Sequence, residues 1–397
     1  MSPYLARVAG TVKLIIRSKN SSIEKALFVS PVPVRGFERL VLGKPPAFVV
    51  EAVMRICGIC HVAHAIACCE AMEYALGILP PREGLLLREA IGLLNKIQSH
   101  LLHTALIIPD MVKEKLVNST LRECLQQLEL ANYAMMLIAG ASTHPPALTV
   151  GGILRPPKET SLERAKEALL NLGRRYERLQ ELLFNEDLWS TKALSLKEQY
   201  FRPPQLLASH MFYGDRYNLD VRKIRVMAPD TYHKDLPSEM KSSIDEISFR
   251  IALYAGAPTE VGPRARLFVY RGFKDWSLIG VELARLKEIE LLLCRILEIL
   301  EELSLREPLR TRALVLREGE GIGVYEAPRG LLLHKVKLDE EGKVTRYAII
   351  VPTMFNIPII EEALLKRPLQ LANLVVRLYD PCIPCAVHVV ISPCGDS

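Results

Sequence analysis

Met54-Arg55-Ile56-Cys57-Gly58-Ile59-Cys60, early in the chain, and Tyr379-Asp380-Pro381-Cys382-Ile383-Pro384-Cys385-Ala386-Val387-His388, close to its end, are the stretches that decide the fold. Each sets two cysteines three residues apart, a turn that brings a pair of sulfurs within about 4 Å of a shared point. Together they offer four thiolates. On residue type and spacing alone, such a set suits a structural zinc site or a dithiol redox couple as well as a reactive metal centre. Zinc pairs usually stand roughly 15–20 residues apart in one small module, where the metal replaces a missing core. These pairs stand at opposite ends of 397 residues, 49% of them hydrophobic. No thioredoxin-like βαβ pattern surrounds either pair.

The remaining cysteines sharpen the picture. Nine cysteines in a chain without a secretory signal suggest metal or redox chemistry rather than a disulfide framework. Cys68, Cys69, Cys124, Cys294 and Cys394 lack iron–sulfur spacing. The first four sit in helical or apolar contexts and are expected to be inert core residues. Electrons exchanged at the four-sulfur site must therefore leave through another polypeptide. The apolar content leaves material for a face against such a partner.

Bulk charge excludes other classes. The chain is 24% charged with a net charge of +6, but its basic and acidic residues are interspersed, so no nucleic-acid footprint is expected. No apolar run approaches the roughly 18 residues of a membrane span. A cytoplasmic location is expected.

Outward from the cysteines, the pattern predicts a mainly α fold with α+β excursions, a long-helix bundle around a buried metal site. One domain is expected over residues 1–397. Its N-terminal β region covers 1–44, with Val12, Leu14 and Ile16 alternating with polar neighbours. A helical core covers 45–188, with Leu86, Ala90, Leu93 and Leu94 at spacings of three and four. Within it, Thr160 to Glu163 reads as a capping box, opening a helix with Leu162, Ala165, Leu169, Leu172, Tyr176 and Leu179 on one face. Residues 189–276, punctuated by proline, read as an irregular α/β excursion. The segment 277–388 predicts a helix over 277–303, a hairpin of 331–338 and 343–351 turning at Asp339-Glu-Glu-Gly342, and a final helix near 359–379.

The surroundings of the cysteines choose among the metal readings. Arg35-Gly-Phe-Glu38 precedes the first pair, Glu326-Ala-Pro-Arg329-Gly330 and Val351-Pro352-Thr353-x-x-Asn356 lie between the pairs, and Asp380 and His388 flank the second. In these motifs, nearly end to end, the chain resembles the large subunits of nickel–iron hydrogenases. Ser99-His100-x-x-His103 with Pro109-Asp110 is similar to the cytosolic, multi-subunit branch. The resemblance implies reversible heterolysis of dihydrogen, with two electrons passed to an iron–sulfur small subunit and on to further electron-transfer subunits. It implies that Cys57 and Cys382 are terminal nickel thiolates, and that Cys60 and Cys385 bridge nickel to an iron carrying carbonyl and cyanide. His64 would hydrogen-bond a bridging sulfur, and Arg329 would stand over the open coordination site as base and donor. Pro352 and Thr353 would line the cyanide pocket beside Asp380. Glu38, the Ile349 carbonyl and His388 match the ligands of a second ion, magnesium or iron. A non-catalytic or sensory relative of the same fold is the alternative, one that in respiratory complexes has lost these cysteines.

Three features depart from the family pattern. Where the family has Arg-x-Glu-Gly near the N-terminus, this chain has Arg7-Val-Ala9-Gly10, and alanine cannot pass a proton, so either another group relays, with Glu326 or a water chain as candidates, or turnover is slowed. Pro384 removes an N–H that could have bonded a sulfur. Nine residues follow His388, after which a family maturation protease would cut.

Overall fold

In the computed structural model, residues 10–213, 219–311 and 315–386 are described. The chain opens with β1 (Lys13–Lys19) and β2 (Ser22–Val29), in the β region that the alternating pattern predicts, and the two pair as an antiparallel hairpin. Its turn residues, Asn20 and Ser21, both take positive φ, the backbone that a two-residue hairpin turn needs. A short α1 (Phe37–Leu40) and α2 (Pro46–Met54) lead into the first cysteine turn.

The long helices follow: α3 (His61–Leu76), α4 (Arg82–Met111), α5 (Glu114–Ala139) and α6 (Glu159–Phe184). The small strands β3 (Leu148–Thr149) and β4 (Gly152–Ile153) separate the last two. The proline-rich stretch holds α7 (Thr191–Glu198), β5 (Ile224–Met227), α8 (Pro229–Tyr232), α9 (Ser238–Lys241), β6 (Ile251–Tyr254) and α10 (Pro263–Arg271), with β5 and β6 antiparallel. Then α11 (Gly280–Glu302) returns to the bundle and packs on α4 and α6. No helix among the described residues is long and apolar enough to cross a membrane.

The sequence undercounts the last sheet. It has three antiparallel strands, β7 (Gly319–Ala327), β8 (Gly330–Leu338) and β9 (Val344–Ile350), in that order. The expected β8–β9 hairpin is present, and its turn is closed by Asp339, whose carboxylate accepts from the N–H groups of Glu341 and Lys343. The unforeseen β7 carries Gly319, Gly321 and Gly323 on one face, which spoils the hydrophobic alternation that marks a strand. A β-carbon at any of the three would collide with a backbone carbonyl of α3, at Ala75, Ala71 and Ala67 respectively. The glycines therefore let the helix lie directly on the strand. Gly323→Ala is expected to destabilise the protein by about 1–3 kcal/mol through overpacking, read as a lower denaturation midpoint.

Two further expectations are corrected. The helix α6 starts at Glu159, with extended Lys158 as its N-cap and no side-chain cap, so Thr160 and Glu163 lie inside it rather than forming a capping box. Pro156 and Pro157 hold the approach extended, and Glu159 complements the positive helix end in place of a hydroxyl cap. The single helix expected near 359–379 is two: α12 (Pro352–Leu364) and α13 (Ala372–Leu378), followed by the short α14 (Ile383–Ala386). Lys366 at φ 64° and Pro368, which lacks an N–H, break the run.

One carboxyl outside the metal region gives stability a pH dependence. Glu361 on α12 is buried, accepts the Phe28 N–H at 2.8 Å and lies 3.6 Å from His233 Nε2. Burial raises its pKa from 4.5 to about 8. Through that interval the folded state keeps a proton that the unfolded chain has lost, so stability falls as pH rises. Glu361→Gln retains the acceptor but not the titration. Denaturation midpoints compared between about pH 5 and 8 should decline less in the variant than in the wild type.

Candidate metal centre

The two cysteine turns meet at the ends of three helices. Cys60 is the N-cap of α3, and Cys57 sits in the turn just before it, accepting the Ile59 N–H at 3.3 Å. Cys382 immediately precedes α14 and Cys385 lies within it, and the Cys382 N–H donates to Thr353 Oγ1 at 3.0 Å. All four thiols are buried and unbridged. Their sulfurs lie within 4.8 Å of one another, with Cys60 to Cys385 at 3.4 Å, Cys57 to Cys382 at 3.5 Å and Cys382 to Cys385 at 2.7 Å.

Arg35, which the sequence marked only as a motif residue, ties the two turns together. Its guanidinium donates to the carbonyls of Ile56 at 2.5 Å and Pro384 at 3.4 Å, each the residue before a cysteine.

Crowded sulfurs do not ionise independently. Hydrogen bonds with Cys382, Cys385 and Cys60 pull Cys57 well below the usual thiol range. Cys60 is pushed above that range, first by its hydrogen bond with Cys382, and Cys385 likewise, first by burial. Four ionised sulfurs at these distances repel one another unless a cation lies among them, and a cation that binds sulfur deprotonates it outright. The soft, buried donor set fits nickel with a second thiophilic metal.

A small cavity opens against the sulfurs of Cys60, Cys382 and Cys385, bordered by His64, Arg329, Pro352 and Thr353, with Ala327 and Leu332 as its apolar wall. Arg329 is at the tip of the β7–β8 hairpin, because Ala327 pairs with Gly330 and leaves Pro328-Arg329 as a two-residue turn. Gly262 and Gly330 (φ 116° and 125°) let this hairpin cross the loop before α10, where a β-carbon would strike backbone. Asn356 locks the crossing by bonding both backbone groups of Val261 and, at 3.5 Å, the Arg329 carbonyl.

Asp380 orients the guanidinium. Arg329 Nε donates to its carbonyl at 2.6 Å, and Nη2 lies 2.9 Å from its carboxylate. Nη1 is buried and makes no hydrogen bond among the described residues. Burial alone would lower the pKa of Arg329, but Asp380 and the thiols outweigh it and hold the group well above its usual range. Burial would likewise raise that of Asp380, yet Arg329 and His103 hold it well below the carboxylate range. His103 stands between Asp380 (3.4 Å) and Glu282 (3.1 Å), giving the helix-borne Ser99–His103 stretch a place behind the site. Asp110, farther along α4, pairs with Arg377 and Lys192.

His64 borders the cavity, while Pro352 and Thr353 begin α12 against it. Glu38 is buried on α1, which packs against β9, the strand of Ile349, and burial pushes its carboxyl up to about 8. His388, Ala9 and the tail lie outside the described residues. Glu326 is near in sequence but does not border the cavity. Its carboxylate is held by Arg266 at 3.0 Å and by the Ser209 N–H at 2.7 Å, and Arg266 also bonds the carbonyls of Ala327 and Pro328. Cys68, Cys69 and Cys124 are buried as expected; Cys294 is instead exposed, on the outer face of α11.

Comparison with known proteins agrees with this geometry. The model of the family described as nickel-dependent hydrogenase matches residues 35–108 and 275–388. The chain is 36% identical to the coenzyme F420 hydrogenase subunit alpha of Methanocaldococcus jannaschii, over 97% of this chain and 92% of that one. It is 30% identical to the sulfhydrogenase 1 subunit alpha of Pyrococcus furiosus, over 98% and 97%. Among solved structures, the nickel–iron–selenium hydrogenase of Desulfovibrio vulgaris Hildenborough superposes with a TM-score of 0.81 at 24% identity, over 96% of this chain and 98% of that one. That of Desulfomicrobium baculatum gives 0.83 at 21%, over 98% and 99%. The chain belongs to the nickel-dependent hydrogenase family. Within that family it is a large, catalytic subunit, an enzyme acting on H2, with the four-cysteine cluster as its metal site.

Proposed function

We propose that Cys57 and Cys382 hold nickel terminally and that Cys60 and Cys385 bridge it to an iron carrying carbonyl and cyanide. The carrying observation is the convergence of four buried thiols at a cavity bordered by Arg329, whose Nη1 has no hydrogen-bond partner among the described residues. When bound, the metal pair supplies the Lewis acidity that polarises dihydrogen and takes up its electron pair. The chain's own residues do the rest. Cys382 Sγ receives the proton, and Arg329, kept protonated by Asp380, serves as a fixed Nη1–H donor to the cavity and not as the base that the resemblance implied. Thr353 accepts from Cys382 N–H, which leaves its own hydroxyl proton for a diatomic ligand. Glu38, the Ile349 carbonyl and His388 would hold a second ion, magnesium or iron. Glu326, held by Arg266 and Ser209, braces the Arg329 hairpin, and no relay step is assigned to it.

The same reading covers the complex. Electrons leave through an iron–sulfur small subunit and further electron-transfer subunits, in a cytoplasmic assembly whose maturation protease cuts after His388. Coenzyme F420, named in relatives at 36% and 34% identity, is the acceptor we favour. The test is co-expression with maturation factors, followed by metal analysis and infrared spectroscopy. Nickel and iron near 1:1 with carbonyl and cyanide bands support the reading; zinc alone, or no metal, overturns it.

A further inference from the structure

His64 borders the sulfur cavity beside Cys60 and Cys385. A neutral imidazole carries one proton on two nitrogens, so the nitrogen that serves the sulfurs depends on what the other one meets. His64 Nδ1 lies 3.1 Å from His334 Nε2, and His334 Nδ1 lies 2.7 Å from the Tyr347 hydroxyl. The three side chains come from α3, β8 and β9, and all are buried. The line of contacts leaves α3 and crosses two strands.

We infer that Tyr347 and His334 form a one-way hydrogen-bond relay that fixes His64 as its Nε2–H tautomer and makes its ring a standing donor to the sulfur of Cys60 or Cys385. The inference rests on the nickel–iron reading above. With neutral rings the relay has two possible directions. In one, Tyr347 O–H donates to His334 Nδ1 and His334 Nε2–H to His64 Nδ1, leaving Nε2–H for a thiolate. In the other, every donor reverses, a lone pair on His64 faces anionic sulfur, and the last N–H is spent on a neutral phenol oxygen, a weaker acceptor than a thiolate. The first direction puts the strongest acceptor at its end. A protonated His334 would donate to His64 Nδ1 as well, with the same outcome. Tyr347 and His334 are thus positioning residues, acting on the metal thiolates through His64 as outer partners of metal ligands do elsewhere.

A thiolate that accepts a hydrogen bond donates less charge to its metal, and iron-bound carbonyl then vibrates at higher frequency. The test compares infrared spectra of the loaded holoenzyme for wild type, Tyr347→Phe, His334→Leu and His334→Gln, with metal content and thermal midpoints measured alongside. Tyr347→Phe keeps the ring and its packing and removes only the hydroxyl. The carbonyl band is expected to move to lower frequency or to split in Tyr347→Phe and His334→Leu at unchanged metal content. His334→Gln, whose amide N–H can still donate to His64 Nδ1, should restore the wild-type position. An unmoved single band in Tyr347→Phe, with the metals retained, overturns the relay. A wild-type protein with no such bands overturns the nickel–iron reading and the relay with it.

Discussion

Cys385→Ala is expected to give a folded chain with nickel and iron at background and no hydrogen-dependent dye reduction. Its sulfur is 2.7 Å from that of Cys382 and 3.4 Å from that of Cys60, so it joins the two cysteine turns as well as contributing a ligand. A zinc site that loses one thiolate can fill the vacancy with water and keep its ion more weakly. Two metals bridged by a pair of sulfurs lose one of the two atoms that hold them together, and each metal loses a ligand at once. The loss should therefore exceed the roughly 10–100-fold that removal of an outer partner costs. Cys124→Ala is the control: this thiol is buried on α5, donates to the Leu101 carbonyl at 3.3 Å and lies apart from the cluster. It should bind both metals like the wild type. Nickel retained by Cys385→Ala at the wild-type level would remove that cysteine from the centre.

How much of this was legible in the sequence depended on the range of the interaction. The α6 stripe was visible because a half-buried helix writes its period into the chain, and Ala165, Leu169, Leu172, Tyr176 and Leu179 are indeed buried. The helix α3 hides its period by being buried nearly all round, and β7 hides its own because three glycines stand where apolar side chains would. At the site, residues inside short motifs could be placed: Cys60, Cys382, Cys385, Arg329, Pro352, Thr353 and His64 border one cavity, with Cys57 in the sulfur cluster and Asp380 on the Arg329 guanidinium. What the motifs could not show was which groups reach them from elsewhere. The His64–His334 contact spans 270 residues and the Arg35–Pro384 contact 349, and a single sequence holds no record of either pairing. Glu326, a candidate relay on residue type, does not border the cavity: alternate residues on a strand point to opposite faces, and Arg266 holds its carboxylate.

Arg329→Lys should keep both metals and lose about 10²–10³-fold in kcat, the usual cost of removing one aimed donor from a preorganised site. The substitution preserves charge, so the loss measures geometry. Arg329 is a fork: Nε and Nη2 are committed to Asp380, and Nη1 remains for the cavity. An ammonium is a single point on a flexible stem and cannot satisfy Asp380 and face the sulfurs at once. It will settle on the carboxylate, because leaving a buried anion unpaired costs more than leaving the cavity unserved. Asp380→Asn separates the two functions. It leaves the guanidinium in place but removes the charge that orients it, so kcat should fall less than in Arg329→Lys. Since neither residue supplies a metal ligand, nickel and iron content should stay at the wild-type level in both variants, and the infrared bands should persist. Equal kcat for Arg329→Lys and wild type, within about threefold, would show that charge alone suffices and that the fork held by Asp380 has no part in turnover.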